Sequence, residues 1–348
     1  MKIYNKIISE RSSVYCIAEI GVNHGGDVGL AKKMIDEAKK AKADAVKFQT
    51  FFADEFVTTK TKKVKYQIKN SPKNESHFQM IKSLEMSEEK HKILISYCKK
   101  KKIDFISTPY NLSAAKMLNK LGCKVFKTAS ADIVDLQMHE YFAKENKKVI
   151  ISTGMANLNE IDDCVKIYKK YGNKNFILLH CVSNYPCSLT SLNLRSIDLL
   201  RSKYNCLVGY SDHSVGNLAA LTSVVLGACV IEKHFTINRN LSGPDHKTSA
   251  LPREFLNMVN SIDDVQKILG KREKKCQKEE IEMRKISRKS LTLIKNIKKD
   301  FRITQDYLTL KRPGNGMYYK DINKVLGLRV KRNLYKDMQI SLKDFKPR

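Results

Sequence analysis

The stretch LVGYSDHSVGNLAALTSVVLGACVIEKHF (207–235) holds two apolar, strand-like runs, 207–211 and 230–234, on either side of one helix-length segment, 217–227. Each run hands over to a polar turn through a histidine, His213 in the first case and His234 in the second. Continuous apolar runs separated by a helix form β-α-β units, whose strands are parallel and buried on both faces. The same rhythm extends backwards through runs at 14–19, 45–49, 104–108, 125–128, 149–153 and 176–181. Helical patterns fall at 30–42, 87–101, 136–146, 158–171 and 194–203, and a further one at 252–269 follows the last strand. Eight such units within residues 1–270 predict an α/β fold, a (β/α)8 TIM barrel. An open doubly wound sheet is the runner-up, and no Gly-x-Gly-x-x-Gly opens a helix after the first strand to support it.

Beyond the barrel the pattern changes. Residues 271–287 are highly charged with little hydrophobic periodicity and read as a linker or a solvated helix. Residues 288–348 carry short β-like pieces at 290–297, 308–311 and 325–330, separated by turn signals such as Arg-Pro-Gly-Asn-Gly (312–316), and predict a small second domain. One insertion, 52–86, interrupts the barrel rhythm; it contains Lys-Tyr-Gln (65–67) and Asn-Ser-Pro-Lys-Asn-Glu-Ser (70–76). A long loop after a barrel strand is more often functional than structural.

Composition narrows the function classes. Hydrophobic residues make up 42% of the chain, enough for a large core, while no apolar run is long enough to span a membrane. The first residues lack the apolar core of a signal peptide, and the nine cysteines form no Cys-x-x-Cys pair. Buried free thiols in a cytoplasmic protein are the expectation. The net charge of +29 raises the question of nucleic acid. Its lysines are spread along almost every predicted helix with no aromatic-interleaved stripe, so no nucleic-acid partner is expected. A positive surface does suit an anionic substrate.

Polar residues gather at the strand ends, which a barrel brings to one mouth. They are Glu19; Lys47 and Gln49; Ser107 and Thr108; Lys127, Ser130 and Asp132; Ser152; His180, Ser183 and Tyr185; Ser211 and His213; Glu232 and His234. A lysine inside an apolar strand, as at Lys47 and Lys127, is costly to bury without a partner. Lysines among small hydroxyls suit a phosphate and a carboxylate on one small ligand. His213 and His234, in matched contexts on neighbouring strands, make a half-site for a divalent metal. Together these groups suit a small phosphorylated anion condensing with a metal-activated carbonyl compound.

The chain resembles the sialic acid synthase family. The resemblance rests on Ala-Glu-Ile-Gly-Val-Asn-His-Gly-Gly (18–26), Val-Lys-Phe-Gln-Thr-Phe (46–51), Ser-Thr-Pro-Tyr (107–110), Ile-Ser-Thr-Gly-Met (151–155) and His-Cys-Val-Ser-Asn-Tyr-Pro (180–186). Gly-Tyr-Ser-Asp-His-Ser (209–214), Glu-Lys-His-Phe-Thr (232–236), Ser-Gly-Pro-Asp-His-Lys (242–247) and Lys-Arg-Pro-Gly-Asn-Gly (311–316) complete it, in order and over nearly the whole chain. The resemblance implies an antifreeze-like (SAF) C-terminal domain with a β-clip fold. It implies a transferase, an N-acetylneuraminate synthase that condenses phosphoenolpyruvate with N-acetylmannosamine.

It further implies Mn2+ or Mg2+ held by His213 and His234, and phosphoenolpyruvate held by Lys47, Thr108, Lys127, Ser130, Ser152, Ser183 and Ser211. Glu19, Gln49, Tyr185 and Asp245 fall around the sugar or the reacting centre. Arg312 matches an arginine brought to the sugar by the partner's cap in a domain-swapped homodimer. One departure is Asp132 in Thr-Ala-Ser-Ala-Asp-Ile-Val-Asp (128–135), where many members carry glutamate. It leaves legionaminic or pseudaminic acid synthesis from a di-N-acetylated deoxy-hexose as the alternative. A competing reading of another class, an inactive sugar-binding barrel, gives no reason to keep buried lysines.

Overall fold

The computed structural model describes residues 1–64, 67–68 and 74–347. The chain divides into two compact units, Met1–Gly270 and Lys271–Arg348. In the first, eight parallel strands close into a barrel: β3 (Tyr15–Gly21), β4 (Ala45–Thr50), β5 (Asp104–Pro109), β6 (Val125–Thr128), β7 (Lys148–Ser152), β8 (Phe176–Cys181), β9 (Leu207–Asp212) and β10 (Val230–His234). Strand β10 pairs back onto β3, with His234 beside Glu19. Every predicted barrel strand is present, its ends displaced by no more than two residues.

The helices outside the barrel bury one stripe each. In α7 (Leu158–Lys170) the stripe is Ile161, Cys164, Val165 and Tyr168, the i, i+3, i+4, i+7 spacing of one helical face. Asn157 and Glu160 cap its start reciprocally, and Lys169 and Lys170 complement the dipole at its end. α1 (Val28–Lys40), α4 (Glu88–Lys101), α5 (Leu112–Lys120), α6 (Leu136–Lys144), α8 (Ser196–Tyr204), α9 (Leu218–Val225) and α10 (Pro252–Leu269) complete the ring. Two short helices, α2 (Ala53–Phe56) and α3 (His77–Leu84), lie in the 52–86 insertion. Of the motifs singled out there, Lys65, Tyr66 and residues 70–73 lie outside the described residues.

Strand alternation splits the apolar residues into two populations. Cys16, Ala18, Val46, Phe48, Phe105, Phe126, Val149, Leu178, Val208 and Ile231 face the helices. Tyr15, Ile17, Ala45, Ile106, Val125, Ile150, Ile177, Leu179 and Val230 fill the interior. A hairpin of β1 (Lys2–Ile3) and β2 (Lys6–Ile7) precedes the barrel. Ile3 and Ile8 join the interior cluster, and Tyr4 donates a hydrogen bond to the Phe105 carbonyl (2.5 Å). The hairpin therefore closes the end of the barrel at which the strands begin.

The second unit has its own core around Leu291, Leu293, Ile303, Val325, Val330, Ile340 and Phe345. Strands β11 (Ser290–Leu293) and β12 (Leu308–Lys311) pair antiparallel. The expected third piece at 325–330 is not a strand. Gly327 sits in the left-handed region (φ 81°) and breaks the extended run, so Val325 reaches the core from a turn and Val330 from an isolated β-bridge to Phe345. The charged stretch 271–287 groups with this unit rather than standing apart as a linker, and contains the exposed helix α11 (Ile281–Ser287). Among the described residues no helix is long and apolar enough to cross a membrane.

Candidate active site

Above the apolar interior lies a polar layer, one strand-step nearer the mouth. Glu19, Lys47, Thr108, Lys127, Ser152, Ser211 and Glu232 are all buried there. Lys47 Nζ is 2.8 Å from Glu19 Oε2, donates to Thr108 Oγ1 at 3.0 Å, and lies 3.8 Å from Glu232 Oε1. Lys127 Nζ donates to Ser152 Oγ (2.5 Å) and stands 3.8 Å from the same Glu232 oxygen. Ser211 Oγ donates to that oxygen too, at 3.0 Å. Gln49, one step further along β4, donates to Glu19 Oε1 at 3.1 Å.

This packing pushes the two carboxylates apart. Burial would raise Glu232, but Lys127 and Lys47 outweigh it and hold the group down at about 2. Burial raises Glu19, against the pull of Lys47 and with a push from Glu232. Burial lowers Lys127 despite Glu232, whereas the two glutamates outweigh burial at Lys47 and raise it. One fixed anion and one proton-accepting carboxylate in a single site is the arrangement acid–base chemistry needs.

His213 and His234 stand at the mouth end of this layer with ring centroids 5.8 Å apart. His213 Nδ1 donates to the Val182 carbonyl at 2.7 Å, which fixes the tautomer and leaves Nε2 with its lone pair. The single Ser211 proton is committed to Glu232, which is nearer than His213 Nε2 (3.0 against 3.3 Å). His234 Nδ1 is buried without a hydrogen-bond partner. Burial lowers both imidazoles to about 4, so both are neutral at physiological pH, as a metal ligand must be. The donor set therefore fits a divalent ion. Among the described residues no third His, Cys, Asp or Glu completes a protein-only cage. The Tyr185 ring packs against both histidines, its centroid 4.2 Å from His213 and 5.5 Å from His234.

Ser130, Ser183 and Cys181 converge on Gly154. A Cβ there would lie 2.5 to 2.8 Å from their side-chain Oγ and Sγ atoms. The Gly154 amide donates to Ser130 Oγ at 3.1 Å. Asp132 follows in a 3-10 turn, Ser130–Val134. Its Oδ2 is buried without a partner, and burial together with the charge of Asp135 pushes its carboxyl up to about 7. Asp245 is buried as well and pushed up to about 7 by burial and by Glu19. It shares a pocket of 170 Å³ with Gln49, Tyr185 and His234, walled by Phe51, Tyr110 and residues of α3. Arg312 lies outside the barrel unit, just beyond β12, and is exposed.

One histidine counted among the mouth-end groups, His180, does not belong there, and His24 in the turn after β3 also faces the outer core. His180 pairs with Tyr210 in the β8–β9 register, stacks on its ring, and donates to the Leu192 carbonyl at 2.7 Å, all on the helix side. His24 packs on Phe48 of the outer core and accepts from the Gly26 amide at 2.9 Å. Sequence reasoning set Glu232 among the strand-end groups without a role and left Gly154 out of the candidate site. Glu232 was legible: it lies two residues before His234, so strand alternation puts both on one face. Gly154 gives no signal of its own, since a glycine after a strand reads as a turn.

The chain matches the NeuB family over residues 34–274 and the SAF domain over residues 288–346. It is 45% identical over 323 residues to the N,N'-diacetyllegionaminic acid synthase of Campylobacter jejuni, covering 92% of this chain and 97% of that protein. It is 41% identical to the protein of the same name from Legionella pneumophila, covering 95% and 94% respectively. The crystal structure of an N-acetylneuraminic acid (sialic acid) synthetase from Leptospira borgpetersenii in complex with citrate superposes with a TM-score of 0.74. It is 38% identical and covers 81% of this chain and 94% of that one.

Proposed function

Since the chain belongs to the NeuB family, we propose that it condenses phosphoenolpyruvate with a di-N-acetylated deoxy-hexose, giving N,N'-diacetyllegionaminic acid and inorganic phosphate. The observation that carries the chemistry is the buried layer of two lysines, two glutamates and small hydroxyls beneath a pair of neutral imidazoles. The choice of sugar is supported by the two legionaminic acid synthases at 45% and 41% identity, and so favours the alternative over N-acetylmannosamine. The second reading, N-acetylneuraminate synthesis, is supported by the likeness to the Leptospira synthetase.

Lys47 and Lys127, with Thr108, Ser130, Ser152, Ser183 and Ser211, hold the phosphate and carboxylate of phosphoenolpyruvate. The absent side chain of Gly154 lets that anion approach the hydroxyls. Glu232 keeps both lysines charged and aimed. His213 and His234 would hold Mn2+ or Mg2+, which when bound polarises the sugar's open-chain carbonyl. Gln49, Tyr185, Asp245 and Asp132 orient the sugar. A bond forms between C3 of the enol and the sugar's carbonyl carbon while the carbonyl π pair moves onto its oxygen, which takes up a proton, and positive character develops at C2. Glu19, the proton-accepting carboxylate, stabilises that charge and takes a proton from the water that adds there. The C2–O bond to phosphate then breaks, phosphate leaving with the electron pair as the new C2 hydroxyl gives up its proton and becomes the ketone. In the proposed homodimer, Arg312 reaches the sugar from the partner's second unit.

The test is phosphate release from phosphoenolpyruvate with Mn2+, run with the di-N-acetylated deoxy-hexose, with N-acetylmannosamine and without sugar. Release fastest with the first supports the proposal. Release confined to N-acetylmannosamine moves the protein to the second reading, and none with any sugar overturns both.

A further inference from the structure

A buried ion pair stands behind the two imidazoles. Asp212 and Lys233 immediately precede His213 and His234 and are register partners across β9 and β10. Alternation turns them outward, since Ser211 and Glu232, which flank them, face in. Lys233 Nζ is 2.6 Å from Asp212 Oδ2, and the two side chains are 6% and 0% exposed.

The pair also grips the backbone around His213. Asp212 Oδ1 accepts from the Ser214 amide (2.9 Å) and hydroxyl (2.7 Å), while Lys233 donates to the Ser214 carbonyl at 2.9 Å. His213 lies one residue past the end of β9, beyond the barrel's ladder. This network ties it to β10, while from the loop after β8 the Val182 carbonyl accepts from its Nδ1 (2.7 Å) and the Cys187 amide donates to its carbonyl (2.9 Å).

As a stability device the pair is poor. Two charges out of water cost about as much as their attraction returns, and an apolar pair of similar volume usually serves as well or better. Among the described residues, its side-chain hydrogen-bond partners are Ser214 and the Tyr210 hydroxyl, neither of them among the reacting groups. Lys233 and Ser214 instead line a neighbouring cavity of 560 Å³ with Asn217, Lys247 and Glu254, which meets the sugar-side pocket at Tyr185.

We propose that Asp212 and Lys233 are positioning residues that set the spacing and aim of His213 and His234 so that their lone pairs converge on one divalent cation. The inference rests on the reading of those histidines as a metal pair. Ligand distances must hold within about 0.2 Å for tight binding, a tolerance that the loop after β9 could not keep without a brace to its neighbour.

The experiment is a Mn2+ titration followed by the electron paramagnetic resonance of the free ion, with the thermal midpoint of each metal-free protein recorded alongside. The parent, the double variant Asp212→Leu/Lys233→Met, the conservative variant Lys233→Arg and a His234→Ala control are compared. The expected result is a double variant that melts close to or above the parent yet binds Mn2+ roughly 10- to 100-fold more weakly, as loss of outer partners does elsewhere. Mn2+ affinity within about threefold of the parent in a folded double variant overturns the inference alone. Should the double variant not fold, Lys233→Arg decides: weaker Mn2+ binding with an unchanged midpoint supports the inference, and unchanged affinity overturns it. A parent that binds no Mn2+, or binds it as well as His234→Ala does, overturns the metal reading and the inference with it.

Discussion

Glu232 accepts from Ser211 and lies between two lysines, so its replacement separates charge from shape. Glu232→Gln keeps the volume and removes the anion that holds Lys127 and Lys47 charged and aimed. The expected outcome is a fall in kcat/KM for phosphoenolpyruvate of about 100-fold or more, the usual weight of a preorganised charge in a dry site, measured by steady-state phosphate release. Asp132 offers a test that needs no substrate. Its folded pKa of about 7 lies above the ordinary carboxylate value. Below pH 4 both folded and unfolded chains carry the proton. As pH rises towards 7 only the unfolded chain loses it, so the group costs the fold up to about 4 kcal/mol above pH 7. Asp132→Asn should therefore raise the urea midpoint at pH 8 and change it little near pH 4. Glu19, Lys47 and Lys127 were legible because a charge inside an apolar strand demands a reason. His180 was misplaced because its strand's phase, not its position near the mouth, decides which way it points.

At the scale of elements, the barrel strands were legible to within two residues because each is a continuous apolar run. Helix α5 went unremarked among the predicted segments, being nine residues long with a short buried stripe of Ala114, Ala115 and Leu118. The β1–β2 hairpin was invisible: two-residue strands carry no periodicity, and their role depends on reaching Phe105, a hundred residues away along the chain. Tyr4→Phe removes that hydroxyl while keeping the ring, and should cost about 1 kcal/mol, read from the urea midpoint with activity unchanged. In the second unit, Gly327 with its positive φ interrupts a plausible strand, leaving Arg329 and Val330 in isolated β-bridges.

For the whole molecule, Arg312, on the second unit, is proposed to serve a site in the barrel. The proposed swapped homodimer makes a prediction no single-chain arrangement shares. A chain carrying Arg312→Ala has a sound barrel and a damaged cap; one carrying His213→Ala has the reverse. Each alone should release little phosphate. Unfolded together and refolded as a mixture, they should recover about a quarter of parental activity, because half the dimers are mixed and each has one intact site. Recovery no greater than the sum of the two parts would rule the exchange out. The charge of +29 belongs to this scale too, carried in part by lysines in the last turns of the helices. Long-range attraction of that kind is screened by salt, so kcat/KM for phosphoenolpyruvate should fall several-fold between about 20 and 300 mM NaCl, with kcat little changed.

The hairpin seals one end of the barrel, which makes the interior a vessel with a single opening. The lysines lie at its base and the histidines, Tyr185 and Asp245 nearer the rim, so traffic is last in, first out. Whatever the lysines hold must arrive before the vessel is covered and leave after the cover is gone. In steady-state kinetics such a vessel is an ordered system: a dead-end analogue of the upper ligand should inhibit uncompetitively with respect to the lower one, and phosphate, if it rests on the lysines, should be the last product to depart.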